Sequence, residues 1–283
     1  MHRVPPTALV LGAVASVQIG AAIAKGLFDD AGPAGTVLLR VGFAALALWL
    51  VWRPRPLAHS RRDLLLAAAF GITLAGMNLA FYEALDRIPL GVAVTLEFVG
   101  PLGVAVASTR RALDALWVAL AAAGILLLAD PGGGSVDAAG IALALLAGVF
   151  WAAYILVNER VGRVFPGGGG LALAMAVAAL LLLPGGVADA GEALLDPRIL
   201  AIGAAVAMLS SAIPYSLELE ALRRIPAGVF GVLMSLEPGV AALAGLAILG
   251  EVLAGREWAG IALVVAASAG ATRRARVARP LEG

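Results

Sequence analysis

The sequence predicts an all-α polytopic membrane protein, with ten transmembrane helices arranged as two inverted five-helix repeats. Three observations lead to this fold class: the overall composition, the distribution of arginine, and one motif that occurs twice. Of the 283 residues, 61% are hydrophobic and 14% are charged, and the mean hydropathy is +0.98. Soluble domains are about 45–50% apolar and about 25% charged. The composition therefore indicates a chain that lies largely in a bilayer.

Apolar stretches long enough to cross a bilayer recur along the whole chain. Such a span needs about 20 predominantly apolar residues, and proline or glycine commonly separates one span from the next. The predicted spans cover about residues 7–27, 34–52, 63–84, 90–108, 115–130, 138–157, 170–187, 199–218, 228–249 and 258–272. The first stretch remains apolar through Phe28, which favours a transmembrane helix over a cleaved signal peptide.

The basic residues indicate how these spans are oriented, because cytoplasmic loops carry an excess of lysine and arginine. With both termini in the cytoplasm, the inner segments hold Arg3, Arg53, Arg55, Arg61, Arg62, Arg110, Arg111, Arg160, Arg163, Arg223, Arg224, Arg273, Arg274, Arg276 and Arg279. The outer segments hold only Lys25, Arg87, Arg198 and Arg256. An odd number of spans would place basic loops on the wrong side of the membrane, so this distribution favours ten.

An internal repeat divides the chain into residues 1–133 and 134–283. Residues 83–92 read EALDRIPLGV and residues 220–229 read EALRRIPAGV, which agree at eight of ten positions. Each copy is followed by a second proline twelve residues after its own. Five spans per half is an odd number, so the two halves are expected to have opposite orientations. Inverted repeats of this kind are typical of secondary transporters, whose site lies near the midplane between the halves.

Two carboxylates lie inside the apolar stretches, beside these second prolines. Glu97 occurs in VTLEFVGPLG, and Glu237 occurs in LMSLEPGVAA. Pro101 frees the carbonyl of Glu97 and Pro238 frees that of Met234, and such carbonyls are tolerated where they face a cavity. Intramembrane carboxylates are usually functional, and paired acceptors near the midplane suit a proton or a cationic amine. The alternative is a structural kink with a buried glutamate, which stays equally open at Glu237.

Other polar residues recur at helical spacing within the predicted spans. They are Gln18, the pair Asn78 and Tyr82, the pair Trp151 and Tyr154, and the pair Ser211 and Tyr215. Each residue alone is as well explained by hydrogen bonding between helices, but the set is typical of a cavity lining. Arg40, in the second span, either pairs with a carboxylate, binds a substrate carboxylate or extends to the interface. Structural pairing is the favoured interpretation.

Several classes of function are disfavoured by what the sequence lacks. There are no cysteines, and the two histidines, His2 and His59, lie outside the apolar stretches. Thiolate or histidine metal sites and the usual catalytic triads are therefore not expected. The glycine runs at 132–134 and 167–170 are not followed by Lys-Ser or Lys-Thr, so no phosphate-binding loop is predicted. We expect no enzymatic activity, no cofactor, no metal and no nucleic-acid partner.

Longer segments resemble a known family over nearly the whole chain. The segments are SVQIGAAIAKGLF, GMNLAFYEALDRIPLGVAVTLEFVGPLGVAV, FWAAYIL, SSAIPYSLELEALRRIPAGVFGVLMSLEPGVAALAG and LGE at 249–251. They closely resemble the threonine/homoserine exporter family of the drug/metabolite transporter superfamily, which has two EamA-type repeats. The resemblance implies ten helices in the bacterial inner membrane and efflux of small amino acids driven by protons. Since other members of the superfamily move lipophilic cations, a multidrug exporter is the alternative.

Overall fold

The computed structural model describes residues 4–107, 114–129, 137–165, 167–222, 224–225 and 227–275. These residues form thirteen α-helices, and no strand occurs among them. The helices are α1 Pro6–Lys25, α2 Phe28–Trp52, α3 Arg61–Leu85, α4 Leu90–Glu97, α5 Val99–Ala107, α6 Asp114–Ala129, α7 Ala138–Val164, α8 Gly169–Ala190, α9 Pro197–Ala207, α10 Ile213–Leu222, α11 Ala227–Met234, α12 Glu237–Ala244 and α13 Gly255–Ala275. Each of the predicted spans coincides with one or more of them.

The all-α, multi-pass fold class is confirmed. Six helical segments of the described chain are long and apolar enough to cross a membrane: Pro6–Lys25, Phe28–Trp52, Arg61–Leu85, Ala138–Val164, Gly169–Leu195 and Val229–Leu249. Three shorter apolar segments lie at Leu90–Val104, Ala115–Leu128 and Pro197–Ala212. Many large apolar side chains on these helices, such as Leu50, Leu65 and Leu180, face outward, as a lipid environment requires.

Two of the predicted spans are broken helices rather than continuous ones. The stretch 90–108 is interrupted at Phe98, between α4 and α5, and the stretch 228–249 is interrupted at Ser235, between α11 and α12. Each break begins three residues before a proline, Pro101 or Pro238, whose missing N–H cannot continue the helical hydrogen-bond ladder. The sequence expectation of local helix disruption near both prolines agrees with these positions.

The sequence led to the expectation that the carbonyl of Glu97 faces a cavity, but in the structure it faces a neighbouring helix. It lies against Gly148 of α7, and a Cβ atom placed on Gly148 would stand 2.7 Å from the carbonyl oxygen. Gly100 of α5 similarly lies against the backbone of Gly148. The two glycines let α5 and α7 approach backbone to backbone, which is the usual role of small residues in membrane helix packing. The break is therefore covered by a neighbouring helix.

A kink near the start of α2 explains the Gly32-Pro33 pair. Gly32 has φ +64° and ψ 166°, a conformation that glycine adopts without a steric penalty. The amide of Ala34 then has no helical acceptor, and Asp189 of α8 accepts its hydrogen bond at 2.9 Å. This contact fixes the beginning of the straight part of α2 against the end of α8.

The helices form one bundle with two distinct ends. In the bundle α2 lies along α8, α3 contacts both α7 and α8, α6 lies along α13, and α1 packs against α10. At one end, called the Lys25 end, Lys25 of α1 is close to the α3–α4 connection and to the segment before α13. At the other, called the Trp52 end, Trp52 of α2 packs on Gly167 and Gly168. The interior between the ends holds the cavity described next.

Candidate functional site

A cavity of about 260 Å³ lies in the interior of the bundle. Polar and aromatic side chains from seven helices and one π-helical turn line it: Gln18, Arg40, Asn78, Phe81, Glu97, Trp151, Tyr154, Ser210, Ser211, Glu218 and Glu237. Apolar residues complete the wall, among them the flexible side chains of Met77, Met175 and Met234. A concave apolar site with a few convergent polar groups is the usual form of a small-molecule site.

The structure brings seven of the nine predicted site residues to this cavity. They are Gln18, Asn78, Glu97, Trp151, Tyr154, Ser211 and Glu237. Tyr82 is fully buried and lies behind Arg40, away from the lining. Tyr215 belongs to α10, and its side chain lies outside the part of the chain that the structure describes.

Both carboxylates stand at the helix breaks. Glu97 is the last residue of α4 and Glu237 is the first residue of α12, and their exposed fractions are only 8% and 6%. Glu97 interacts electrostatically with Glu237 and with Arg40. Burying two like charges together is costly unless a proton or a cation compensates them. The pair therefore provides a place for a proton, a cationic group or both in turn.

Gln18 connects the first helix to the second carboxylate. Its amide Nε2 donates a hydrogen bond of 3.0 Å to Glu237 Oε1, and both residues are buried. The remaining oxygens, Gln18 Oε1 and Glu237 Oε2, are buried and have no hydrogen-bond partner in the described part of the protein. Since buried polar atoms are almost always hydrogen bonded to protein, water or ligand, these two atoms mark a place where water or a bound molecule is expected.

Ser210 and Ser211 reach the cavity because the helix between α9 and α10 contains a π-helical turn, Met208–Ala212. Ser16 Oγ of α1 donates a hydrogen bond of 2.7 Å to the carbonyl of Leu209 and so fixes this turn. Ser210 Oγ is also buried without a partner. Single π-helical turns are frequent at functional sites because they redirect side chains.

Arg40 is held at the cavity wall by the aromatic residue behind it. Its Nη1 donates to Tyr82 Oη at 3.4 Å, and its guanidinium lies 5.5 Å from the centre of the Tyr82 ring. The side chain lines the cavity and acts electrostatically on Glu97. Tyr82 therefore positions the Arg40 guanidinium so that it faces the open space of the site. The sequence interpretation had favoured a purely structural ion pair for Arg40.

Aromatic side chains shape another part of the wall. Trp151 stands edge-on to Phe98 with ring centres 5.2 Å apart, and Tyr154 lies 5.2 Å from Phe70. Phe98 is the residue at the first helix break, so Trp151 packs beside the break that presents Glu97. The aromatic contacts bring α7 against the carboxylate at this position.

Sequence reasoning missed two residues of the lining, Ser210 and Glu218. Glu218 fell at the predicted end of the eighth span, where a carboxylate is ordinarily expected to reach the interface. Its position inside an apolar stretch was the available signal, because a carboxylate there is functional by default. Ser210 carried no signal, since the π-helical turn that redirects it is not encoded by any obvious motif.

The fold and the cavity together define a class of protein: a multi-pass membrane transporter with its site between broken helices. The comparisons agree with this class. The model of the EamA-like transporter family matches residues 138–273. The threonine/homoserine exporter RhtA of Salmonella typhimurium strain LT2 is 43% identical over 269 residues, which cover 94% of this chain and 91% of that protein.

Two further comparisons extend the likeness. RhtA of Escherichia coli K12 is 42% identical over 273 residues, covering 96% of this chain and 92% of that protein. One crystal structure, 18% identical in sequence, is similar in fold over 97% of this chain and 99% of its own, with a TM-score of 0.60. The chain therefore belongs to the EamA-like transporter family, together with the RhtA exporters.

Proposed function

We propose that the protein is a secondary exporter of small amino acids of the threonine/homoserine type in a bacterial inner membrane. The observation that carries this proposal is one buried cavity that contains both carboxylates and a guanidinium. A zwitterionic amino acid needs acceptors for its ammonium and a cation for its carboxylate. The relatives named as threonine/homoserine exporters support the same substrate class.

We further propose ten spans in two inverted halves, with both termini in the cytoplasm and the Lys25 end outside. The packing supports the repeat. The third predicted span, α3, contacts the first two helices of the second half, α7 and α8. The eighth predicted span, α9 and α10, contacts the first two helices of the first half, α2 and α1. The breaks at Phe98 and Ser235 also fall at equivalent positions of the repeated motif. The proposed boundary between the halves, at 133/134, lies outside the described residues.

Alternating access and coupling to protons are the proposed mechanism. Facing outward, the carboxylate pair releases the substrate and takes up a proton. Facing inward, it releases that proton to the cytoplasm and binds the next substrate molecule. Because both carboxylates are buried and adjacent, leaving them ionised and empty is costly, which disfavours return of the unloaded transporter. The inward proton gradient then drives uphill export.

Export of lipophilic cations is the second candidate. Three carboxylates line the cavity against one arginine among its described residues, and aromatic rings such as Trp151 attract cations. The cavity volume argues against it, because sites for drug-sized ligands are about 300–1,000 Å³ and this one is about 260 Å³. A small zwitterion fits the size and the presence of Arg40 better than a bulky cation does.

Substrate counterflow separates the two candidates. Proteoliposomes loaded with unlabelled threonine or homoserine are expected to accumulate external radiolabelled threonine transiently. Liposomes loaded with tetraphenylphosphonium should give no such accumulation, and neither should protein-free liposomes. Exchange of tetraphenylphosphonium with no exchange of amino acids would overturn the amino-acid proposal in favour of the alternative.

Replacement of Glu97 tests the coupling. Glu97→Gln keeps the shape and hydrogen-bonding capacity of the side chain but removes its titration, so uphill threonine export in response to an imposed pH gradient should be abolished. The matched control is Glu159→Gln on α7, which removes a carboxylate that is 61% exposed and pairs with Arg163. Flux is measured in proteoliposomes with equal amounts of reconstituted protein. Wild-type concentrative export by Glu97→Gln would show that Glu97 does not couple protons.

A further inference from the structure

The unpartnered polar atoms of the cavity are concentrated on one side of it. Gln18 Oε1, Glu237 Oε2 and Ser210 Oγ are all buried without a hydrogen-bond partner in the described chain. The three side chains are 2%, 6% and 7% exposed, and all of them line the cavity. Burial of such atoms without partners is unfavourable, so each is expected to be satisfied when the transporter is loaded.

The chemistry of these atoms selects the group that they bind. Gln18 uses one of its two amide N–H groups on Glu237, and its oxygen Oε1 is left as an unpartnered acceptor at the cavity. An ionised Glu237 presents a second acceptor, and the Ser210 hydroxyl provides a third. A primary ammonium carries three N–H donors and no acceptor, which matches this set. A carboxylate would be repelled by it.

The backbone holds this cluster in place. Gly20 of α1 lies so close to Ser210 that a Cβ atom at Gly20 would collide with the Ser210 hydroxyl. The hydrogen bond from Ser16 to Leu209 binds the same π-helical turn one helical turn earlier along α1. The position of Ser210 is therefore imposed by two residues of α1 and does not depend on a ligand.

Arg40 is the cation on the Glu97 side of the site. It acts electrostatically on Glu97. Glu237 is influenced instead by the neighbouring carboxylate of Glu218 and by the hydrogen bond from Gln18. Tyr82 supports its guanidinium from behind. A guanidinium is suited to bind a carboxylate through two parallel hydrogen bonds.

We propose that Gln18, Glu237 and Ser210 bind the ammonium group of the substrate and that Arg40 binds its carboxylate. This division of roles rests on the proposed amino-acid export and deepens it. Glu97 is then left as the proton carrier, so Glu97→Gln should still exchange threonine for threonine while it loses uphill export. Glu237→Gln should lose both.

Two substrate analogues test the assignment on purified full-length protein. Threonine amide keeps the ammonium and lacks the carboxylate, and 3-hydroxybutyrate keeps the carboxylate and has no group in place of the ammonium. Competition with labelled threonine gives the affinity of each. Ser210→Ala and Gln18→Leu should weaken binding of threonine and of threonine amide about tenfold, because a charge-assisted hydrogen bond is lost. Neither variant should change the binding of 3-hydroxybutyrate. Arg40→Gln should weaken binding of threonine and 3-hydroxybutyrate and leave that of threonine amide unchanged.

Thr73→Ala is the matched control, because Thr73 is equally buried at 7% and donates to Ala69 of its own helix, away from the cavity. It should leave all three affinities unchanged. If Ser210→Ala and Gln18→Leu leave threonine amide binding unchanged, or weaken both analogues equally, the ammonium assignment is wrong. Failure of the wild-type protein to exchange any amino acid would instead refute the proposed function.

A separate contact connects the two halves at the Lys25 end. Lys25 Nζ donates to Glu251 Oε1 at 2.7 Å and to the carbonyl of Ile88 at 3.0 Å. Glu251 Oε2 accepts the backbone N–H of Leu90 at 2.8 Å, at the beginning of α4. Gly245 makes room for the Glu251 carboxylate. The cluster therefore ties the ends of α1 and α3 and the start of α4 to the segment before α13.

The helices below this cluster are closed against each other. Gly91 of α4 lies against the backbone of Ala242 in α12, where a Cβ atom would collide. The Lys25 end is thus closed by backbone packing in this conformation.

We infer that the Lys25–Glu251 pair is the outer lock of the alternating-access cycle, and this inference rests on the proposed orientation. Ser211→Cys provides a cavity reporter, because the natural chain contains no cysteine. In intact cells, Glu251→Gln and Lys25→Met should raise its labelling by a membrane-impermeant thiol reagent several-fold. The charge swap Lys25→Glu with Glu251→Lys should return labelling towards the starting rate.

Glu83→Gln is the control for a non-specific charge effect. Glu83 of α3 pairs at 2.9 Å with Arg87, four residues further along the chain at the same end, so its loss removes a charge there and leaves the Lys25–Glu251 contact intact, and labelling should not change. Unchanged labelling in both Glu251→Gln and Lys25→Met would exclude the lock. An increase confined to inverted vesicles would instead show that the Lys25 end faces the cytoplasm.

Discussion

The burial of Glu97 and Glu237 in the middle of an apolar bundle is the constraint on which the rest of the structure depends. A carboxylate in a membrane is tolerated only where it faces a cavity or a partner. Both residues meet this condition because they stand at helix breaks that direct them inward. Gln18 and Arg40 supply the polar partners, so the cavity exists around these charges.

The breaks themselves depend on close packing around them. Pro101 and Pro238 interrupt the hydrogen-bond ladder, which leaves backbone carbonyls that lipid cannot satisfy. At the first break, Gly148 of α7 and Gly100 of α5 allow one helix to cover the exposed backbone of the other. At the second break, the hydroxyl of Ser235 is hydrogen bonded to Ser268 of α13 at 3.0 Å. Some of the many glycines of the chain therefore lie where one helix backbone approaches another closely.

The repeated motif explains why the two sides of the cavity resemble each other and why they are not identical. Each half contributes one broken helix with one carboxylate, but Glu97 ends its helix segment and Glu237 begins one. The first half adds Gln18 and Arg40, and the second adds the serines of the π-helical turn. The repeated motif thus provides two carboxylates with different neighbours, which is consistent with the proposal that one holds a cation and the other a proton.

The sequence predicted what depends on local composition. Apolar length located the helices, the repeat located the breaks, and charge inside apolar stretches located Glu97 and Glu237. It did not predict what depends on three-dimensional packing. Tyr82 and Asn78 lie on one helical face, yet only Asn78 lines the cavity, because Arg40 intervenes before Tyr82. Ser210 required a π-helical turn, and the contact of Lys25 with Glu251 joins residues far apart in sequence.

The central claim is that an amine-bearing substrate and a proton use the same buried carboxylate pair in turn. Calorimetric titration of the purified wild-type protein with threonine at pH 7, in buffers of different ionisation enthalpy, tests this claim most directly. The observed heat should vary linearly with the ionisation enthalpy of the buffer. The slope of that line gives the number of protons exchanged with the buffer, and its sign should correspond to net release of protons on binding. A binding heat that is the same in every buffer would contradict the account.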